Sequence, residues 1–279
     1  MLPGRVTLSI CAGALLSVAC GKSAKISVEK ATAHADHLVK TAQGDVSEIR
    51  QGLPEGAKVL APLFSKPTPP AEDLKEVRDT LQQARDKVQD LRVAKSTFFA
   101  LADANGTVLR NDLEQDLMAG KSLFGSFPEL KQAAAGKYVE THGSMPEASE
   151  AKGRPDGQWI AAQPIAVDGA TKGFYVTGWS WSAYAYRLEN AARTEARGQG
   201  GKEPLLYVYV VVDSAVYGAP VSPEVNAQKI AEQKPLDKIT GDLPFTAELE
   251  ITGRDFGLAV RATPALGAKV GIAMLHSET

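Results

Sequence analysis

The stretch from Phe98 to Asn111 constrains the chain most. An apolar run stops at Asp103-Ala104-Asn105-Gly106 and resumes as Thr107, Val108 and Leu109. Asn and Gly accept the positive φ of tight turns, so the pattern predicts a β-hairpin. A second apolar run, Leu205 to Val212, stops at Asp213 and resumes at Val216 and Tyr217. Each hairpin is followed by a short helical segment, Pro128 to Ala135 ended by Gly136 in the first case and Pro223 to Gln233 in the second. Further strands follow in each half: Tyr138 to Thr141, Trp159 to Val167 and Gly173 to Trp181, then Phe245 to Ile251, Phe256 to Ala262 and Lys269 to Leu275. The repeat is one of pattern more than of identity. It predicts two α+β units, 98–198 and 199–279, with the boundary in the glycine-rich run near Gly200. A helix over 182–196 closes the first unit, and 142–157, without periodicity, reads as a surface loop.

Helices precede the sheets. Val28, Ala31, Ala35, Leu38, Ala42 and Ile49 recur at spacings of three and four with one position skipped, which predicts an amphipathic helix from Lys25 to about Arg50. Gly52 and Pro54 interrupt that pattern, and four prolines between Pro62 and Pro70 read as a connector. Leu74, Val77, Leu81, Ala84, Val88 and Leu91 then predict one unbroken helix, with Glu72 and Asp73 at its start and Arg92 and Lys95 at its end, as the helix dipole prefers. This stripe suits packing against the first helix; a coiled-coil dimer would want a longer one.

The N-terminus carries an address. Arg5, an apolar stretch from Val6 to Ala19 and small residues before Cys20 have the layout of a secretory signal, and the stretch is shorter than the ~20 residues a membrane span needs. Leu16-Ser17-Val18-Ala19-Cys20 resembles a bacterial lipobox with its Leu one place early, which makes 1–19 the signal peptide, Cys20 the lipidated residue and 20–97 the anchored helical segment. An ordinary signal peptide cleaved nearby is the alternative. Cys11 and Cys20 are the only cysteines. Lipidation would therefore leave the mature chain without a thiol, which excludes thiol nucleophiles, thiolate metal sites and disulfides. A net charge of -2 gives no basic field for nucleic acid.

Little else suggests chemistry. His34 and His37 share a helical face beside Asp36, but two ligands do not make a metal site, and a solvated face is the expectation. His142 and His276 have no visible partner for nucleophilic catalysis. The Asp103 turn opens like a calcium loop and lacks its later acidic ligands, so it reads as a structural turn. Neither a cofactor motif nor a nucleophile–base pair is present, and no enzymatic activity is expected. The densest cluster is Trp179 to Arg187 in a chain with 6% aromatics. Strand alternation would put Trp179 and Trp181 on one face, joined by Trp159 and Tyr138 from the same sheet and by Tyr184 and Arg187 beyond it. Aromatic walls with one guanidinium would suit a small carboxylate or amine. The other reading is a sheet-to-helix core with Arg187 solvated; Arg110 and Asp103 are lesser candidates.

Phe99 to Leu109, Gly120 to Leu123, Trp159 to Ile165 and Lys172 to Gly178 resemble the double Cache family of extracytoplasmic, PAS-like sensor domains. The resemblance implies N-terminal helices followed by two PAS-like units, each a mixed or antiparallel sheet with short helices, the first holding an amino acid, amine or carboxylate. The family's amino-acid motif is not found, so no ligand residue carries over. Because the sequence stops at Thr279, just after its last strand, a transmembrane signalling module of its own is not expected. The expected function is a lipid-anchored sensor or binding protein of the bacterial cell envelope, facing the periplasm or exterior. The alternative is an envelope lipoprotein that binds a partner protein, for instance in the membrane, and no small ligand.

Overall fold

The computed structural model describes residues 16–149, 155–198 and 203–278, with side chains from residue 24 onward. Residues 1–15 of the expected signal peptide, the side chain of Cys20, expected to be lipidated, and the expected boundary at Gly200 lie outside the described part.

One helix joins everything else. Helix α1 runs Leu16–Leu60, well past the predicted end, and passes through Gly52 and Pro54. A proline inside a helix costs about 3 kcal/mol. Leu53 and Leu60 beyond or beside it are fully buried, and each contributes roughly 1.5–3 kcal/mol, so packing outweighs the local penalty. The glycines serve as close approaches: a Cβ on Gly52 would lie 2.6 Å from Leu91 Cδ2, and one on Gly56 2.4 Å from the Tyr175 ring. The proline connector forms two 3-10 turns, Ala61–Ser65 and Pro70–Glu72.

Helix α2 is Leu74–Lys87, capped by the Asp73 carboxylate, which accepts the Glu76 amide at 2.9 Å. Val77, Leu81 and Ala84 are buried in one cluster with α1. The predicted unbroken helix instead stops at Val88 (φ -92, ψ 111) and restarts as α3, Gln89–Val93. That break drops Leu91 beneath Gly52 and Gly56, while Leu74, at the head of the stripe, is 42% exposed.

The first sheet contains β1 (Phe98–Asp103), β2 (Val108–Asn111), β3 (Val139–Gly143), β4 (Gln158–Val167) and β5 (Ala170–Ser180) in the order β2-β1-β5-β4-β3. Helix α4 (Leu123–Ser126) and a 3-10 segment, Pro128–Ala135, follow the first hairpin. Gly136 ends that segment at φ 80, where glycine avoids the Cβ clash. Helix α5 is Trp181–Gly198. Trp181 therefore opens a helix and does not continue the strand; its amide reaches the Gly157 carbonyl, and the next amide, of Ser182, reaches the buried Asp156 carboxylate at 3.2 Å.

The second sheet repeats the plan with β6 (Leu205–Val212), β7 (Ala215–Gly218), α6 (Glu224–Glu232), α7 (Pro235–Lys238), β8 (Phe245–Ile251), β9 (Arg254–Ala262) and β10 (Val270–Ser277). Its order is β7-β6-β10-β9-β8. Every pairing in both sheets is antiparallel. The α+β architecture expected from the sequence is thus present, with two matching five-stranded sheets.

Strand alternation gives each sheet an inner face toward α1. Phe99, Leu101, Trp159, Tyr175 and Trp179 in the first sheet and Val208, Val210, Ile272 and Met274 in the second share one continuous core with Ala31, Leu38 and Ile49 of α1 and with Leu188 and Ala192 of α5. Contact with the second sheet is backbone-close, since a Cβ on Gly257 would lie 2.2 Å from the Val28 nitrogen. Among the described residues no helix is long and apolar enough to cross a membrane.

Candidate functional site

Of the aromatic residues picked out by the sequence, Trp159, Trp179 and Tyr184 stack under α1, and Trp181 and Tyr138 lie beside that stack. Trp159 and Trp179 face each other across β4 and β5. Their rings stack at 4.4 Å, and Tyr184 stacks on Trp179 at 4.5 Å. All three are about 1% exposed. The Tyr184 hydroxyl donates to Asp45 of α1 at 2.9 Å, and the Arg187 guanidinium pairs with the other oxygen of that carboxylate. Arg187 is thus committed to an internal partner. Trp181, on α5, lies outside the stack and tilts toward His142 at 6.5 Å. Tyr138 stands just before β3 and donates to Glu140, which Arg50 of α1 holds through two bonds of 2.7 and 2.8 Å.

Asp45 is the residue the sequence did not single out. It occupies the skipped position of the α1 stripe, and that gap was the only signal. Burial pushes its carboxyl above the usual range, partly opposed by Arg187, the Tyr184 hydrogen bond and Lys95. Burial and then the Asp45 charge raise Glu48 as well, and burial followed by Asp45 drives the Tyr184 phenol far above its ordinary value. The Trp179 Nε1 and Tyr175 hydroxyl are buried without a hydrogen-bond partner on this face.

The histidines divide. His37 is exposed, whereas His34, expected on a solvated face, is 4% exposed and stacks on His276 of β10 at 5.8 Å. The reason is a second stripe on α1, which packs on the C-terminal end of the central strand β10. His34 Nδ1 lies 3.3 Å from Glu195. Among the described residues no three His, Cys, Asp or Glu side chains assemble as a metal set. The Asp103 carboxylate accepts the amides of Asn105 and Thr107 at 2.9 and 2.8 Å, so it ties its own turn. Arg110 is held by Asp116 at 3.0 Å.

Cavities lie elsewhere. The outer face of the first sheet is filled by Leu123, Phe127, Leu130, Met118 and Met145 packed on Phe98, Ile160 and Phe174. Trp159 reaches a small recess of about 240 Å³ shared with His142 and Leu266. The outer face of the second sheet holds a larger cleft of about 650 Å³ beneath α7, lined among others by Val211, Val216, Leu236, Ile239, Lys234 and Asp213. No signal for this cleft was read from the sequence, because the connection over 233–243 has no periodicity.

No protein-family model and no curated protein matches the sequence. Solved structures do match in fold. An extracellular domain assigned to the histidine kinase vpHK1S-Z8 aligns with a TM-score of 0.60 at 10% identity, covering 92% of this chain and 93% of that one. The sensor domain of the V. cholerae histidine kinase DctB gives 0.51 at 14%, covering 95% and 100%. The ligand-binding domain of Mlp24, solved with asparagine, gives 0.53 at 14%, covering 94% and 95%. The fold is the double Cache-like, tandem PAS-like fold of extracytoplasmic sensor domains. These structures are an extracellular domain, a sensor domain and a ligand-binding domain.

Proposed function

We propose that this chain is a lipid-anchored, extracytoplasmic binding protein or sensor for a small molecule of the amino acid, amine or carboxylate class, without catalytic activity. The observation that carries the reading is the double Cache-like fold combined with an open cleft of about 650 Å³ in which apolar and charged side chains meet. The address rests on the signal layout ending at Cys20. In this reading the anchored helices 20–97 carry the units 98–198 and 199–279. The stacked group of Trp159, Trp179, Tyr184 and Arg187 would meet a ligand only if α1 moved away; with the present packing it serves as the joint between helix and sheet. Tyr138 and Trp181 flank that joint.

Thermal-shift screening of the purified protein against amino acids, amines and carboxylates tests the reading, and no stabilisation across a broad panel would sink it. Labelling with a radioactive fatty acid, compared between wild type and Cys20→Ala, tests the anchor; equal labelling would refute it. One observation favours the partner-binding alternative: both faces of the first sheet are filled. Capture of a membrane protein by the soluble region, with no ligand in the screen, is the result that reading expects.

A further inference from the structure

The cleft of the second unit has a sharper chemistry than its size alone conveys. Val211 and Val216 belong to the apolar layer of the outer face, and Leu236 and Ile239 from the connection around α7 pack onto the same layer. The approach is tight: a Cβ on Gly271 of β10 would lie 2.7 Å from Leu236 Cδ2. This apolar floor is bordered by four exposed charged residues of both signs, Asp213, Lys234, Asp237 and Lys269. Asp213 and Lys269 approach each other at 3.6 Å, an open pair that a ligand can divide at small cost. Lys234 and Asp237 make no ion pair among the described residues.

Lys234 supplies an independent observation. Among the described residues four non-glycine residues have positive φ, and Asp168, Asp213 and Thr252 sit in two-residue hairpin turns that require it. Lys234 (φ 47, ψ 55) instead follows the last turn of α6 and precedes Pro235. A left-handed residue after a helix is ordinarily glycine or asparagine, and the residue before a proline is disfavoured in helical conformations. A lysine here is conformationally the expensive choice, made at the border of this cleft. Strain of this kind is retained where a side chain has a use.

We propose that the cleft between the outer face of the second sheet and the α6–α7 connection binds a small zwitterion with an aliphatic body. Its carboxylate would be met by Lys234 and Lys269, its ammonium by Asp213 and Asp237, and its aliphatic part by Val211, Val216 and Leu236. A free aliphatic amino acid and a short aliphatic peptide share this chemistry. The inference rests on the small-molecule reading above and places the ligand in the second unit.

Isothermal titration of the purified protein with leucine in one arm and Ala-Leu or Leu-Leu in the other distinguishes the two sources. N-acetyl-leucine amide, which lacks both charges, is the control. Binding in either arm should weaken about tenfold in Lys234→Gly, the loss of one charge-assisted contact, while the melting temperature of that variant holds or rises because glycine relieves the backbone. A merely structural lysine would change stability and leave affinity alone. Val216→Trp fills the floor and should abolish binding. Binding untouched by both variants, or equal binding of the uncharged control, overturns the proposal while leaving a small-molecule function standing. So does silence in both arms when another compound stabilises the protein. Silence to every compound overturns both.

Discussion

The two sheets share one strand order and differ in what covers them. The first is closed on both sides: α1 and the Trp159–Trp179–Tyr184 stack lie within, and a layer around Phe127 lies without. The second is closed within by α1 and α5, but its outer face is only partly roofed by α6 and α7 and keeps a cleft of about 650 Å³. The comparison teaches that strand topology fixes the frame, whereas the connection after the first hairpin decides whether a face becomes core or cavity. In the first unit that connection returns Leu123, Phe127 and Leu130 to the sheet. In the second the covering helices bury Asn226, Ile230 and Pro235, while Val225, Ala227, Leu236 and Ile239 are only partly buried.

The largest effect expected from this contrast is on stability. Phe127→Ala empties a fully buried site and should cost ~3–5 kcal/mol. Leu236→Ala trims a half-buried roof and should cost about 1 kcal/mol. Urea denaturation of both variants measures the difference, and equal losses would mean that the second outer face is packed as firmly as the first.

The joints with α1 differ in the sign of their charge chemistry. In the first unit Arg187 faces the buried Asp45; the guanidinium is 26% exposed and the carboxylate 5%. Arg187→Ala should cost roughly 2–3 kcal/mol at neutral pH, below the full value for a buried pair because Arg187 is partly solvated. The Asp45 carboxyl is already raised, so its charge opposes folding as pH rises above the unfolded value of about 3.8. Without Arg187 that opposition grows, and the deficit of the variant should shrink on acidification. A deficit independent of pH would show that Arg187 acts through packing alone.

The second joint should lean the other way. Burial, then His34 and Lys30, push His276 down to about 4, and Glu278 lies 3.9 Å from its Nε2 while Glu195 pairs with the His34 ring. The unfolded chain takes up this proton near pH 6.5 and the folded one does not, so stability is lost as pH falls from 6.5 toward 4. Between pH 7 and 4.5 the wild type should lose on the order of 2 kcal/mol more than His276→Gln. Parallel acid losses would remove His276 as the origin.

Strands, turns and the doubled plan were legible in the sequence because β-branched runs and Asp, Asn and Gly punctuation are local signals. The reach of α1 was not, since Gly52 and Pro54 are breakers by local propensity and only Leu91, Tyr175 and the buried Leu53 and Leu60 make them acceptable. Val88 misled for the opposite reason: a continuous stripe hid a break that tertiary packing imposes. Of the aromatic cluster, the sequence supplied the members but not their partner Asp45, which lies 139 residues from Tyr184. The cleft depends on the irregular segment around Lys234, where no period exists to be read.

The smallest effect concerns the two hairpin turns that look most alike in the sequence. Asp103 uses its side chain, accepting two backbone amides, with the positive φ of that turn carried by Gly106 at 77°. Asp213 instead takes the positive φ itself, at 52°, in a two-residue turn between Val212 and Ala215. Asp103→Gly removes an acceptor from two amides and should cost about 1 kcal/mol. Asp213→Gly gives the turn the residue its backbone prefers, and the exposed Lys269 pair it loses is worth little, so stability should stay within about 0.5 kcal/mol of wild type. Equal losses from the two substitutions, read from thermal denaturation, would mean that the hairpins are equivalent in mechanism as well as in sequence pattern; unequal losses would place the likeness in strand order alone, with each turn closed by a different device.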